Sequence, residues 1–169
     1  MKSQEGNLLL TIAKSRIKKN KWDGAFFEDI KKASTTEKGD IGEEFIVELC
    51  KLTGIDKNAK LNKNKRDSFD SIILNKKLEI KTATEDTNDC FQFNGIRYHR
   101  KYEFLIVLGI SPDNIYFNIY NSADVKSQKI GNLVSMEKGA VGSQKLTRKK
   151  SQLYPISEFK NKIVGVLNK

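Results

Sequence analysis

The chain has 169 residues, enough for one domain with a real core and too few for two full ones. Its 31 Lys and Arg outweigh 21 Asp and Glu, giving a net charge of +10 and a pI near 9.5. That balance favours a polyanion as partner, with nucleic acid the leading candidate, and no apolar run is long enough to suggest a membrane span.

Taken in order, residues 7–19 place Leu9, Leu10, Ile12, Ala13 and Ile17 at helical spacing, and a second short helix is predicted over 24–33 around Phe26, Phe27 and Ile30. These two are expected to form a preface, residues 1–35, that packs on the core. The run Leu8–Ala13 leads into Lys14 and Arg16 rather than a cleavage site, which argues against a secretory leader. The next helix is predicted from Asp40 to Leu52, with Ile41, Phe45, Leu49 and Leu52 as its buried stripe and Gly54 as a left-handed cap. Asp40 and Glu43 match the spacing of a capping box, so Glu43 has a structural reading beside any chemical one. Residues 56–67 form a polar, basic connection.

A hairpin is predicted next, from Phe69–Leu74 and Leu78–Thr82, with Asn75-Lys76 as a two-residue loop. In that register Leu74 pairs with Lys77, Ile73 with Leu78, Ile72 with Glu79 and Asp70 with Lys81. Asp70, Glu79 and Lys81 then share one face, because strand side chains alternate. The reading requires a loop of even length; an odd loop would send Asp70 to the other face. Two carboxylates are costly together unless a cation compensates them, and hard oxygen ligands select Mg²⁺ or Mn²⁺. A lysine beside them suits a water attacking a phosphodiester. The competing reading is a charged, solvated strand face.

Residues 82–88 read as polar and irregular. Residues 91–102 are expected to be an amphipathic helix that packs through Phe93 and Tyr98 and meets phosphate through Arg97, Arg100 and Lys101. His99, the single histidine, cannot build a histidine metal site and reads as structural. Phe104–Ile110 reads as a strand buried on both faces, Ser111–Asn114 as a turn and Ile115–Tyr120 as a further strand. Residues 121–155 read as a long polar segment, either a set of DNA-contacting elements that use Lys145, Arg148, Lys149 and Lys150 or a disordered insert. Ser157 is expected to cap a final helix bearing Phe159, Ile163, Val164 and Leu167. The charge supports this division: residues 1–90 carry 18 basic and 16 acidic groups, residues 91–169 carry 13 and 5. Cys50 and Cys90 lack metal-type spacing and read as reduced thiols of a cytoplasmic protein.

This order of helix, hairpin, helix and buried strand resembles the PD-(D/E)XK nuclease superfamily, which includes most type II restriction endonucleases. Phe69-Asp70 stands where the family has Pro-Asp, Glu79-Ile80-Lys81 stands for (D/E)XK, and Gly39–Glu43 resembles its Gly-x-x-x-Glu segment. The resemblance covers residues 36–120. It implies an α/β fold with a mixed sheet, built on a restriction-endonuclease-like αβββαβ core that continues into a basic extension, 121–169. It further implies Mg²⁺-dependent cleavage of double-stranded DNA, with Mn²⁺ able to substitute. Asp70, Glu79 and Ile80 would be the metal-binding residues, Lys81 would stand beside the water, and Glu43 would be a supporting acid, with Glu44 the alternative if the helix phase differs by one. A restriction endonuclease of this size implies a homodimer. Alternatives are a Holliday-junction resolvase or repair nuclease, and a non-catalytic DNA-binding protein of the same fold.

Overall fold

The computed structural model describes residues 3–17, 20–64, 68–131, 133–136 and 142–168. Lys18, Lys19, Lys65, Arg66, Asp67 and Gly139, which belong to the predicted first helix, basic connection and long polar segment, lie outside the described residues. The chain is a mixed α+β structure with helices at both ends. Its helices are α1 (Gln4–Arg16), α2 (Glu28–Lys32), α3 (Thr35–Leu52), α4 (Ser122–Lys126) and α5 (Phe159–Leu167). Its strands are β1 (Lys60–Leu61), β2 (Ser71–Ile73), β3 (Lys76–Thr84), β4 (Cys90–Ile96), β5 (Phe104–Ile110), β6 (Ile115–Asn121), β7 (Val134–Ser135), β8 (Gln144–Lys149) and β9 (Tyr154–Pro155). Among the described residues no helix is long and apolar enough to cross a membrane.

The main sheet has the order β1-β2-β3-β5-β6-β9. It is mixed: β3 and β5 run parallel at its centre and the other pairs are antiparallel. A smaller sheet, β4-β8-β7, covers one face. The core accordingly has two layers. Ile46, Val47 and Cys50 of α3 and Phe159, Ile163 and Leu167 of α5 pack with Leu78, Ile80, Ile106 and Leu108 on one face of the main sheet. Phe91, Phe93 and Leu146 of the smaller sheet pack with Ala83, Leu105 and Val107 on the other. Strand β5 lies between two apolar layers, as its continuous apolar run requires.

Several sequence-based expectations are corrected. Helix α3 starts five residues earlier than predicted, because Ser34 and Glu37 make the capping box in place of Asp40 and Glu43. That moves the buried stripe to Gly42, Ile46, Val47 and Cys50, and leaves Ile41 and Leu52 exposed. The C-terminal cap is as expected: Gly54 has φ +71, and the N–H groups of Gly54 and Ile55 return to the carbonyls of Lys51 and Cys50. The predicted helix over 91–102 is instead strand β4 as far as Ile96 and loop beyond it, since Phe91 and Phe93 are buried while Gln92 and Asn94 are exposed, a period of two rather than 3.6. Residues 82–84, read as irregular, continue β3. Among its described residues the segment 121–155 carries α4 and strands β7, β8 and β9, and its basic run lies in β8 and the 3₁₀ turn after it. Helix α5 follows a 3₁₀ turn at Ile156–Glu158, and its N-cap is Glu158 without a side-chain cap, not Ser157. Helix α1 forms but has no buried residue, so it does not pack on the core.

The N-terminal segment between α1 and α3 is anchored by main-chain and side-chain contacts of Phe26 and Phe27 with Pro112 and Asp113 and by one carboxylate. Glu85, beyond the end of β3, has no exposed side-chain surface, and its Oε1 lies 2.9 Å from the Nζ of both Lys21 and Lys150. Its main-chain carbonyl accepts from Trp22 Nε1 and Lys31 Nζ. Trp22 is thereby placed in the core beside α3.

Helix α3 crosses β3 at Gly42. A Cβ there would lie 2.9 Å from Thr82 Cβ and closer still to its hydroxyl. The expected effect of Gly42→Ala is overpacking, a loss of about 1–3 kcal/mol, read as a lower denaturant midpoint. Gly39→Ala, where a Cβ meets nothing within 4 Å, should show no such loss.

Candidate functional site

The hairpin turns at Leu74-Asn75, both with positive φ (50° and 60°), not at Asn75-Lys76. Two positive φ values in a two-residue loop suit the twist of a tight hairpin, and Asp56 Oδ2 accepts the Leu74 N–H at 2.7 Å. The register is therefore Ser71 with Leu78, Ile72 with Lys77 and Ile73 with Lys76. It is displaced from the predicted one by a whole period on the strand pair, and the loop length stays even. Asp70 consequently keeps the face of Glu79 and Lys81, although it sits one pleat nearer Glu79 than expected.

The β2 ladder ends at Leu78, which leaves the edge of β3 open from Glu79 onward. Asp70 closes the gap with side-chain atoms: its Oδ2 accepts the Ile80 N–H at 2.8 Å, and its own N–H donates to the Leu78 carbonyl. The main chain of Asp70 is bracketed in turn. Asn62 donates its N–H to the Asp70 carbonyl and its Nδ2 to the Phe69 carbonyl. Beside the open edge lies a cavity of about 210 Å³ lined by Asp40, Glu43, Asn62, Asn64, Phe69, Asp70 and Arg100.

Glu79 has no exposed side-chain surface. Lys81 Nζ lies 2.6 Å from its Oε1 and Arg100 3.7 Å from its Oε2. Lys81 Nζ is also 3.9 Å from Asp70 Oδ2. These are ion-pair approaches outside hydrogen-bond geometry, and both Glu79 oxygens are left without a hydrogen-bond partner. Burial raises the Glu79 pKa; Lys81 pulls it down, and Asp70 adds to the rise. Glu43, on the third turn of α3, is half-buried. Its pKa is pushed up to about 7, first by burial and then by the Asp70 charge. Glu44 is exposed, so the helix phase selects Glu43.

Asp70, Glu79, Lys81 and Glu43 are thus brought together. Ile80 buries its side chain in the core and has only its main chain toward the edge. Arg100 joins the cluster, and Arg97 and Lys101 are exposed on the same loop. Ile96 pairs with Gln144, which brings Lys145 to the end of the smaller sheet that carries Arg97. Arg148 and Lys150 are committed elsewhere. Arg148 is buried, donates to Tyr120 Oη and to the Thr147 carbonyl, and stacks on the Tyr120 ring. Lys150 pairs with Glu85. Lys149 is exposed. His99 stands against Tyr98 and does not line the cavity. Sequence reasoning missed Asp40 and the Asn62–Asn64 bracket as parts of this site. Asp40 was legible as the residue three before Glu43 on one helical face.

Among the described residues, no group of three or more His, Cys, Asp or Glu side chains is arranged to hold a metal ion. The donor chemistry still suits a hard divalent cation. Mg²⁺ is commonly held by one or two carboxylates, with waters and substrate phosphates completing its shell. Asp70 and Glu79 supply two carboxylates, and the Glu79 oxygens, which accept no hydrogen bond but have Lys81 and Arg100 beside them, are the atoms such an ion would compete for. No family model matches the chain, and no curated protein matches its sequence.

The pKa directions dictate a pH dependence for the metal-free protein. Glu43 ionises less readily folded (about 7) than at its ordinary value of 4.5, so its favourable contribution is complete below about 4.5 and lost as pH rises through about 7. Glu79 shifts the same way. Melting temperature in chelator should therefore fall across that window, and Glu43→Gln should flatten the slope. Equal slopes in both proteins would contradict the shift. Arg148→Ala should destabilise by about 1–3 kcal/mol through the unpaired Tyr120 contact, whereas Lys149→Ala should change stability by less than about 0.5 kcal/mol in the same denaturant titration.

Proposed function

We propose that the chain is a Mg²⁺-dependent endonuclease that hydrolyses phosphodiester bonds of double-stranded DNA, as a type II restriction endonuclease does. The observation that carries this reading is the convergence of Asp70, Glu79 and Lys81 on the open edge of β3, with Glu43 alongside from α3. The central β2–β3–β5 arrangement behind α3 is in keeping with a restriction-endonuclease-like core. One departure is plain: strand β4 stands where the resemblance implies a helix between core strands.

In this reading Asp70, Glu79 and the main chain at Ile80 would hold the cation. The chemistry a bound divalent cation supplies is polarisation of the phosphodiester and a lower pKa for a coordinated water. Lys81 orients the attacking water and offsets negative charge as the water oxygen bonds to phosphorus and the ester oxygen departs. Glu43, with a pKa near neutrality, can take or give a proton at physiological pH. Arg100 at the cavity wall meets the phosphate, and Arg97, Lys101, Lys145 and Lys149 neutralise the flanking backbone. Arg148 and Lys150 have internal partners and drop out of that role.

A second reading is favoured by one observation. Glu79 is wholly occluded and Lys81 stands 2.6 Å from it, as in a closed ion pair. That arrangement suits a non-catalytic DNA-binding protein. Plasmid DNA with Mg²⁺ separates the two. The nuclease should yield discrete fragments, and Lys81→Ala should slow cleavage about a hundredfold or more while salt-dependent binding persists. Binding without cleavage by the wild type would favour the second reading. Cleavage undiminished in Lys81→Ala would sink the site.

A further inference from the structure

Helix α1 has 13 residues, none of them buried among the described residues, and Leu8, Leu9 and Ile12 are 63%, 68% and 45% exposed. Its sequence gives it a particular stripe. Glu5, Leu9, Ile12 and Arg16 stand at i, i+4, i+7 and i+11, along one side of the helix. The stripe begins with an acid in the first turn, ends with a base in the last, and is apolar between. It spans about 16 Å at 1.5 Å per residue.

Such a stripe is complementary to itself when reversed. Laid antiparallel on a second copy, it places Glu5 beside Arg16 of the other helix, twice, and Leu9 and Ile12 across the axis. This is an isologous two-fold contact. A helix lying on a lipid surface would instead keep its charges off the apolar stripe and on the opposite face. Here the two charges of opposite sign sit on the stripe itself, at its ends.

We infer that α1 is a homodimerisation element that pairs antiparallel with α1 of a second copy, through Leu9 and Ile12 and reciprocal Glu5–Arg16 ion pairs. The pairing stands on α1 alone and not on the nuclease reading. A single helix pair is a small interface, so the dimer should be weak, with a dissociation constant on the order of micromolar.

Sedimentation velocity on the full chain from about 1 to about 100 µM tests it. The expected result is a monomer-to-dimer shift with concentration. Leu9→Asp should weaken the dimer about tenfold or more, by placing a charge in the apolar seam. Glu5→Lys and Arg16→Glu should each weaken it alone, and the double variant should recover it. That recovery would run against the helix dipole, which both swaps oppose, and circular dichroism would check that α1 persists. A monomer at every concentration would overturn the inference. So would a dimer indifferent to Leu9→Asp, a double swap no better than the singles, or a monomer recruited through α1 to phosphatidylserine vesicles. A monomer that cuts DNA would refute the pairing and leave the nuclease reading standing.

Discussion

The approach of α3 to β3 at Gly42 and Thr82 is the constraint on which the candidate site depends. With no side chain at position 42, the helix axis settles close to the strand. The next residue, Glu43, is then carried to the wall of the cavity that Asp70 also lines. Ile46, Val47 and Cys50 continue the same helical face into the core, so packing fixes the helix that carries Glu43. A larger residue at 42 would lift that face and withdraw Glu43 from Asp70 in one movement. The Cys50 thiol is a by-product of this packing: burial pushes its pKa to about 12, which makes it inert as a nucleophile.

The second constraint is electrostatic. Glu43, Asp70 and Glu79 gather where the β3 edge is open, and Lys81 and Arg100 answer them. Burial resists ionisation of both Glu43 and Glu79. The charges are tolerated because each acid has a neighbour of opposite sign or a main-chain donor, as Asp70 has in the Ile80 N–H. Under the nuclease reading proposed above, an added cation would offset the acid that Lys81 and Arg100 leave uncompensated.

The site was legible in the sequence to the extent that it depends on parity. Asp70, Glu79 and Lys81 share a face in any hairpin with an even loop, so placing the turn one residue late left the cluster intact. Phase on α3 was not legible from apolar spacing. Ser34 and Glu37 lie upstream of the apolar stripe and set the helix start through hydrogen bonds. Strand β4 was missed because Arg97, Tyr98, Arg100 and Lys101 suggested an amphipathic helix, although Phe91 and Phe93 already alternated with polar residues. The pairing of Glu85 with Lys150, 65 residues further along the chain, had no local signal at all, since a buried carboxylate's partners come from distant segments.

Glu85 gives the molecule a topological property. One carboxylate joins Lys21 from the N-terminal segment to Lys150 from the C-terminal one, at the end of the central strand β3. Its carbonyl adds Trp22 and Lys31 to the same knot. The contacts it makes span from 54 to 65 residues of chain. Glu85 Oε1 has both its lysine partners only when the two segments are in place together. Closing chain loops of that length costs more entropy than closing the local hairpin that creates the candidate site.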